Sequence, residues 1–356
     1  EGYHPHPNFL PLRERGSRNS IKMAINPALT GNWDEYVQEP SRGVGMTQPE
    51  QSAVLVLGGI NIDLVTITPR FPEAGESVVG SGFLTYPGGK GANQAVAAAR
   101  MGARTFMVGR VGTDIFGAQL VDALQDSGVD VSAVGFSGTS SGIAAISIDE
   151  FSQNRIIQVL GANDTCGEAE FDQISQLLPQ VSTLMLQLEV SIELSLRAAR
   201  AAAALRKTII LDPGPVRPFP NEFYPLCTVI TPNETEAQAL VGFPVTDQES
   251  VAQAARALLG RGVKNVALKL GEQGAYYATA AGGEHVRAFP VQAIDSVGAG
   301  DAFNGALAVA LTEGKVLGEA VRIACAAGGL AASKVGAQDS MPERAAVELL
   351  LRSQNF

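Results

Sequence analysis

A glycine-rich turn, Val297-Gly298-Ala299-Gly300, leads into Asp301 and then into a stretch of helical character as far as Leu311. Backbone N–H groups at a helix start have no intrahelical acceptor, and with the helix dipole they make an anion site. Glycines at 298 and 300 let that backbone come close to a phosphate. Asp301, just behind them, is placed to take a proton from a hydroxyl that attacks the phosphate. The chemistry this suggests is phosphoryl transfer to an alcohol, with Asp301 as base. An aspartate that merely caps a helix after a glycine loop reads the same way.

Three other constellations carry polar groups at useful spacings. Pro87-Gly88-Gly89-Lys90-Gly91-Ala92-Asn93-Gln94 looks like a phosphate loop but lacks the Walker spacing. Glycines ahead of a polar Asn suit close backbone contact with a polyhydroxy ligand, or simply a glycine-rich helix start. Asn233 and Glu236 stand at i, i+3 on one helix face. That pair suits water held on Mg²⁺, which keeps several waters and few protein ligands, and it equally fits a capping box. Lys269-Leu270-Gly271-Glu272-Gln273-Gly274 is a strand end and turn whose glycines suit the side of a nucleotide or a plain β-turn.

Regular elements must bring these segments together. Val54-Leu55-Val56-Leu57, closed by Gly58-Gly59, suits a buried strand. Further strands are expected over 106–111, 183–188, 208–212, 227–231 and 265–270, and helices over 89–102, 116–127, 168–178, 191–205, 234–241, 248–261, 301–313 and 317–334. This alternation predicts an α/β fold of three αβα layers around a mostly parallel sheet. Two β-only pieces, 64–86 and 142–160, interrupt the rhythm and are expected to pair as a small sheet over one edge of the site. In open α/β sheets ligands bind beyond the carboxyl ends of the strands. Asn61 and Asp63, Glu189, Asp212, Asn233 and Glu236, Lys269 to Gly274, and Asp301 all fall at such ends.

Composition narrows the partners. A chain of 356 residues, 46% hydrophobic and 17% charged, can bury a sizeable core. A net charge of -10 speaks against nucleic acid and anionic membranes. No apolar run is long and clean enough to span a bilayer. Cys166, Cys227 and Cys325 match no metal spacing and read as small buried hydrophobes in a reducing compartment. Residues 1–50 hold six of the 19 prolines, the sole Trp33, His4 and His6, and no sustained period. They read as a disordered or foreign extension, or as a transit peptide given Arg13, Arg15 and Arg18, against which Glu14, Asp34, Glu35 and Glu39 count.

The sequences GGKGANQAVAAARMGA at 88–103, DSVGAGDAFNGAL at 295–307, GGINIDL at 58–64 and ITPNETEA at 230–237 resemble the ribokinase family, within the PfkB carbohydrate kinases. The resemblance runs from about Ala53 to the C-terminus. It implies an ATP-dependent kinase domain over 51–356 that phosphorylates the primary hydroxyl of D-ribose. Other acceptors open to the same class are deoxyribose, fructose and adenosine; a catalytically silent sugar-binding protein is the reading outside it. By resemblance, Asn61, Asp63, Gly89, Lys90, Gly91, Ala92, Asn93 and Glu189 enclose the sugar with Asp301. Asn233, Lys269 to Gly274, Gly300 and Cys325 border the nucleotide, and Glu236 organises Mg²⁺ through water. Gly298, Ala299 and Gly300 form the anion hole. Asp295, Val297, Ala331, Lys334, Gly336 and Ser340 surround a K⁺ ion. The small sheet corresponds to a lid that also joins a homodimer, and the location implied is cytoplasmic, or plastidic or another organelle if 1–50 is a transit peptide. Cys325 departs from the family, which commonly has Asn near the adenine.

Overall fold

The computed structural model describes residues 53–151 and 153–354, so the expectation for 1–50 lies outside the described residues. Among the described residues thirteen strands form two sheets. The larger is built around β1 (Ala53–Leu57), flanked by β4 (Arg104–Gly112) and β5 (Val129–Ser137) on one side. On the other side run β8 (Thr183–Leu186), β9 (Thr208–Leu211), β10 (Val229–Ile230), β11 (Asn265–Lys269), β12 (Ala275–Thr279) and β13 (Gly282–Val286). Every pairing from β5 to β11 is parallel, and β12 and β13 add an antiparallel edge.

All five residues of β1 are buried, as a strand covered on both faces requires. Val54 and Val56 face one core with α1 (Lys90–Arg100), α2 (Gly117–Asp126), α7 (Ala299–Thr312), α8 (Leu317–Ala332) and α9 (Arg344–Ser353). Leu55 and Leu57 face the other, with α3 (Glu168–Leu177), α4 (Ile192–Ala204), α5 (Glu234–Val241) and α6 (Gln248–Gly260). Three αβα layers result. All three cysteines are buried and unpaired, as expected. Among the described residues no helix is long and apolar enough to cross a membrane.

The smaller sheet has the order β3-β2-β6-β7, from β2 (Asn61–Ile67), β3 (Gly82–Gly88), β6 (Gly142–Ile148) and β7 (Asn154–Val159). The two β-only pieces do pair, β2 lying parallel to β6. β2 starts at Asn61 rather than at 64, so Asn61 and Asp63 belong to the small sheet itself. β10 is shorter than its apolar run because Pro232 follows and offers no N–H to a ladder. β5, β12, β13 and α9 have no counterpart in the sequence reading.

Candidate active site

The order of the large sheet reverses at β1, and the polar strand ends meet beside that switch point. At the centre sits Asp212, just past β9 and fully buried. Its carboxylate accepts from Lys90 Nζ at 3.2 Å, Lys269 Nζ at 3.3 Å, Gln94 Nε2 at 2.9 Å and Asn304 Nδ2 at 3.0 Å. Burial alone would push this carboxyl up, but the ammoniums of Lys269 and Lys90 hold it below the usual range.

Gln94 joins Asp212 to the proposed base. Its Nε2 also donates to Asp301 Oδ1 at 3.0 Å, while Asn93 Nδ2 donates to Asp301 Oδ2 at 3.0 Å. Gln187 Nε2 in turn donates to Gln94 Oε1 at 2.7 Å and fixes that amide's orientation. α1 and α7 lie close enough for this because Gly305 faces Ala97, where an added Cβ would stand 2.5 Å from the alanine methyl. Burial raises the Asp301 carboxyl and Asp212 adds to the rise, opposed by Lys90, Gln94 and Asn93. A raised pKa makes a stronger base near neutrality.

Gly298 opens α7 in the left-handed region at φ 77°, which a residue with a Cβ adopts only under strain. The Ala299 amide donates to Ser296 and the Asp301 amide to Gly298, so both are used inside the turn. The Gly298 and Gly300 amides have no such backbone partner among the described residues, and Lys269 Nζ lies beside Gly300. Two free amides at a helix N-terminus, with the Lys269 ammonium beside them, suit a phosphate.

A second group of carboxylates faces the small sheet. Glu189 Oε2 accepts from the Lys90 amide at 2.7 Å and Oε1 from Gln158 Nε2 at 2.6 Å. Burial raises Glu189. Burial first, then Glu189 and Asp301, push Asp63 up to about 7. Asn61 is held by Asn163, whose Nδ2 donates to its Oδ1 at 2.7 Å. Gly89, Gly91 and Ala92 pack the start of α1 against the Gly58-Gly59 turn, with the Ala92 amide donating to Gly59 at 3.0 Å. The Lys90 ammonium pairs with Asp212 and stands 3.9 Å from Glu236 Oε1, while its charge still opposes the rise of Glu189.

Asn233 and Glu236 do form the reciprocal capping box, at 2.8 and 2.9 Å. Capping uses Glu236 Oε2 and leaves Oε1 facing the ammonium of Lys90. The turn from Leu270 through Gly271, Glu272 and Gln273 to Gly274 closes with Leu270 N–H on the Gly274 carbonyl at 2.8 Å. Cys325 is buried in α8, and burial pushes its thiol up to about 12. Asp295 accepts from the amides of Val297 and Gly336, each at 3.0 Å, which draws those segments together. Ser340 and Ala331 are buried nearby in sequence to Gly336 and Lys334, and Ser340 Oγ donates to Ala337.

Asp212 is one of the expected strand-end residues but carries no assigned role in the sequence, and Gln94, Asn304, Gln187 and Gln158 are not among the expected site residues. Gln94 lies inside the 88–103 signature and Asp212 at a strand end, which were the available signals. The others sit in runs that mark nothing by themselves.

A buried carboxylate at an open helix N-terminus, with a lysine-paired aspartate and a second carboxylate cluster next to it, suits an α/β phosphotransferase acting on an alcohol. The pfkB family carbohydrate kinase pattern matches residues 51–344. Ribokinase of Bacillus subtilis is 39% identical over 300 residues, covering 84% of this chain and 99% of the relative. Deoxyribokinase of Salmonella typhi is 36% identical over 257 residues, covering 72% and 84%. A solved structure described as Arabidopsis thaliana ribokinase complexed with ribose and ATP matches with a TM-score of 0.80 at 34% identity, covering 85% of this chain and 99% of that one. The chain belongs to the pfkB family of carbohydrate kinases.

The raised Asp63 carboxyl predicts a pH dependence. Below about 7 the group is protonated and loses acceptor capacity. Acceptor affinity therefore falls as the pH drops through that value. The expected kcat/KM for the sugar declines toward about tenfold per pH unit on the acid side, through KM. Initial rates of the wild type and of Asp63→Asn check this. An acid limb in KM that survives in the variant would assign it to another group.

Proposed function

We propose that this enzyme transfers the γ-phosphoryl group of ATP to the primary hydroxyl of D-ribose, giving D-ribose 5-phosphate. The observation that carries the reading is the Asp301 carboxylate, held by Asn93 and Gln94 of α1 at the open start of α7 with Lys269 beside Gly300. Asp301 takes the hydroxyl proton, the hydroxyl oxygen bonds to the γ-phosphorus, and the bond to the bridging oxygen breaks, releasing ADP. Because such transition states are loose, positioning and charge stabilisation by the amides and ammoniums outweigh base catalysis. Asp63, Asn61 and Glu189 accept from or orient the remaining hydroxyls.

Mg²⁺ fits the donor chemistry: the hard oxygen Glu236 Oε1 is left over from capping, and Mg²⁺ takes few protein ligands. When bound, Mg²⁺ neutralises charge on the phosphate oxygens. Glu236 would hold the ion through water. The small sheet acts as a lid that excludes water. On the face that carries Asp63, the next row away from the site, Leu84-Val65-Ile146-Ile156, is apolar, with Leu84 and Ile156 exposed, and supports a homodimer through the lid.

A monovalent cation held by oxygens of Asp295, Val297, Ala331, Lys334, Gly336 and Ser340 completes the proposal. Oxygen donors without thiolate or imidazole suit a hard cation, and the Asp295 bonds to Val297 and Gly336 already join both sides of the site. An ion there steadies the adjacent Gly298–Gly300 turn. ATP turnover at constant ionic strength and saturating Mg²⁺ is expected to be faster in K⁺ than in tetramethylammonium. Asp295→Ala is expected to abolish the difference, and equal wild-type rates in the two salts would refute the cation site.

The acceptor is tested by ADP release with ribose, 2-deoxyribose, fructose and adenosine. Ribose is expected to give the highest kcat/KM. A preferred nucleoside or hexose would replace ribose in this reading.

A further inference from the structure

β7 is one of the two edge strands of the small sheet, and five of its six residues are exposed. The exception is Gln158, which is covered by the large domain through its bond to Glu189. A half-buried polar side chain on an otherwise exposed edge strand needs a reason. The register supplies one. Tyr86, Asp63, Ala144 and Gln158 are successive partners across β3, β2, β6 and β7. Laterally paired residues share a sheet face, so Gln158 points the same way as Asp63, over the acidic pocket. The two stand two strands apart, about 9.5 Å between backbones. Between them in the row stands only the methyl group of Ala144, which makes a notch in that face.

The donors and acceptors around that notch are unbalanced. When ionised, Asp63, Glu189 and Asp301 can accept hydrogen bonds but donate none. Each sugar hydroxyl has one proton to donate and also lone pairs that must be met once water is gone. Gln158 Nε2 carries two N–H groups. One goes to Glu189 at 2.6 Å, and the other makes no hydrogen bond among the described residues.

We propose that Gln158 is a specificity-determining residue of the lid: its second N–H donates to a ring hydroxyl remote from the reacting one, so that a sugar lacking this hydroxyl is rejected. The proposal rests on the ribose reading above. A deoxy sugar leaves the amide unpaired beneath the closed lid, and a buried polar group without a partner is costly. Glu189, gripped by Gln158 on one oxygen and by the Lys90 amide on the other, holds the amide in place for this readout.

The test compares ribose with 2-deoxyribose and 3-deoxyribose in the wild type, Gln158→Leu and Gln158→Glu. The wild type is expected to favour ribose over at least one deoxy sugar. Gln158→Leu, similar in size but without a donor, is expected to reduce that preference by about tenfold, mainly through the KM for ribose, with KM for ATP within twofold. Gln158→Glu places a like charge beside Glu189 and is expected to raise the KM for every sugar. Preference ratios within twofold of wild type in Gln158→Leu, with ribose still the wild-type substrate, would overturn the role of Gln158 and leave the ribose reading intact. A wild type that does not turn over ribose would overturn both.

Discussion

Asp301→Asn is expected to lower kcat by about 10²–10⁴ while leaving sugar affinity within a few-fold. The change keeps the shape of the side chain and removes the proton acceptor. It also reverses part of the local bonding. Asn93 Nδ2 and Gln94 Nε2 both donate to the carboxylate at 3.0 Å, and an amide can accept at only one of its two ends. One N–H is then left facing another. Because positioning and charge carry most of the catalysis, a residual rate well above the uncatalysed one should remain. Steady-state kinetics with ribose and ATP measure both parameters. A loss under tenfold would remove Asp301 from the role of base.

Asp212→Ala is expected to be the most damaging change to the fold around the site. It leaves the ammoniums of Lys90 and Lys269 facing each other, with the amides of Gln94 and Asn304 unpaired. Removing one member of a buried charge cluster typically costs about 3–5 kcal/mol. Lys90 retains 29% side-chain exposure, so about 3 kcal/mol is the expectation. Urea denaturation reads this directly. ATP should restore part of the loss, since its phosphates give the ammoniums a new counter-charge. The surviving activity should show its acid limb at lower pH, because the Asp212 charge helps to raise Asp301. A stability within about 1 kcal/mol of wild type would mean that Asp212 is not the centre of the site.

Much of this arrangement was legible in the sequence because the signals were local. The α7 turn, the start of α1 and the Asn233–Glu236 box each carry their chemistry within a few residues. Parallel strands buried on both faces stand out as apolar runs. What escaped is non-local or weakly patterned. Asp212 meets Gln94 across 118 residues of chain and Asn304 across 92. No spacing rule reports such pairs, and a lone Asp before Pro-Gly reads as a turn. β5 carries Asp130, Ser132 and Gly135 among its apolar residues because it is an edge strand, so it has no continuous run. β13 is glycine-rich and carries Glu284 and His285 for the same reason. The direction of Lys90 was also hidden. Its backbone belongs to the sugar side through Glu189, while its long side chain crosses to Asp212 and Glu236. Gln158 could not be assigned before the register of β6 and β7 was known.

The product formed from ribose and ATP tests the central claim most directly. Phosphorus NMR of the reaction mixture is predicted to show, besides ADP, one phosphomonoester coupled to the two protons of the C5 methylene group of ribose. Signals from ADP and inorganic phosphate alone, or from a phosphate on any other carbon of the sugar, would contradict the account.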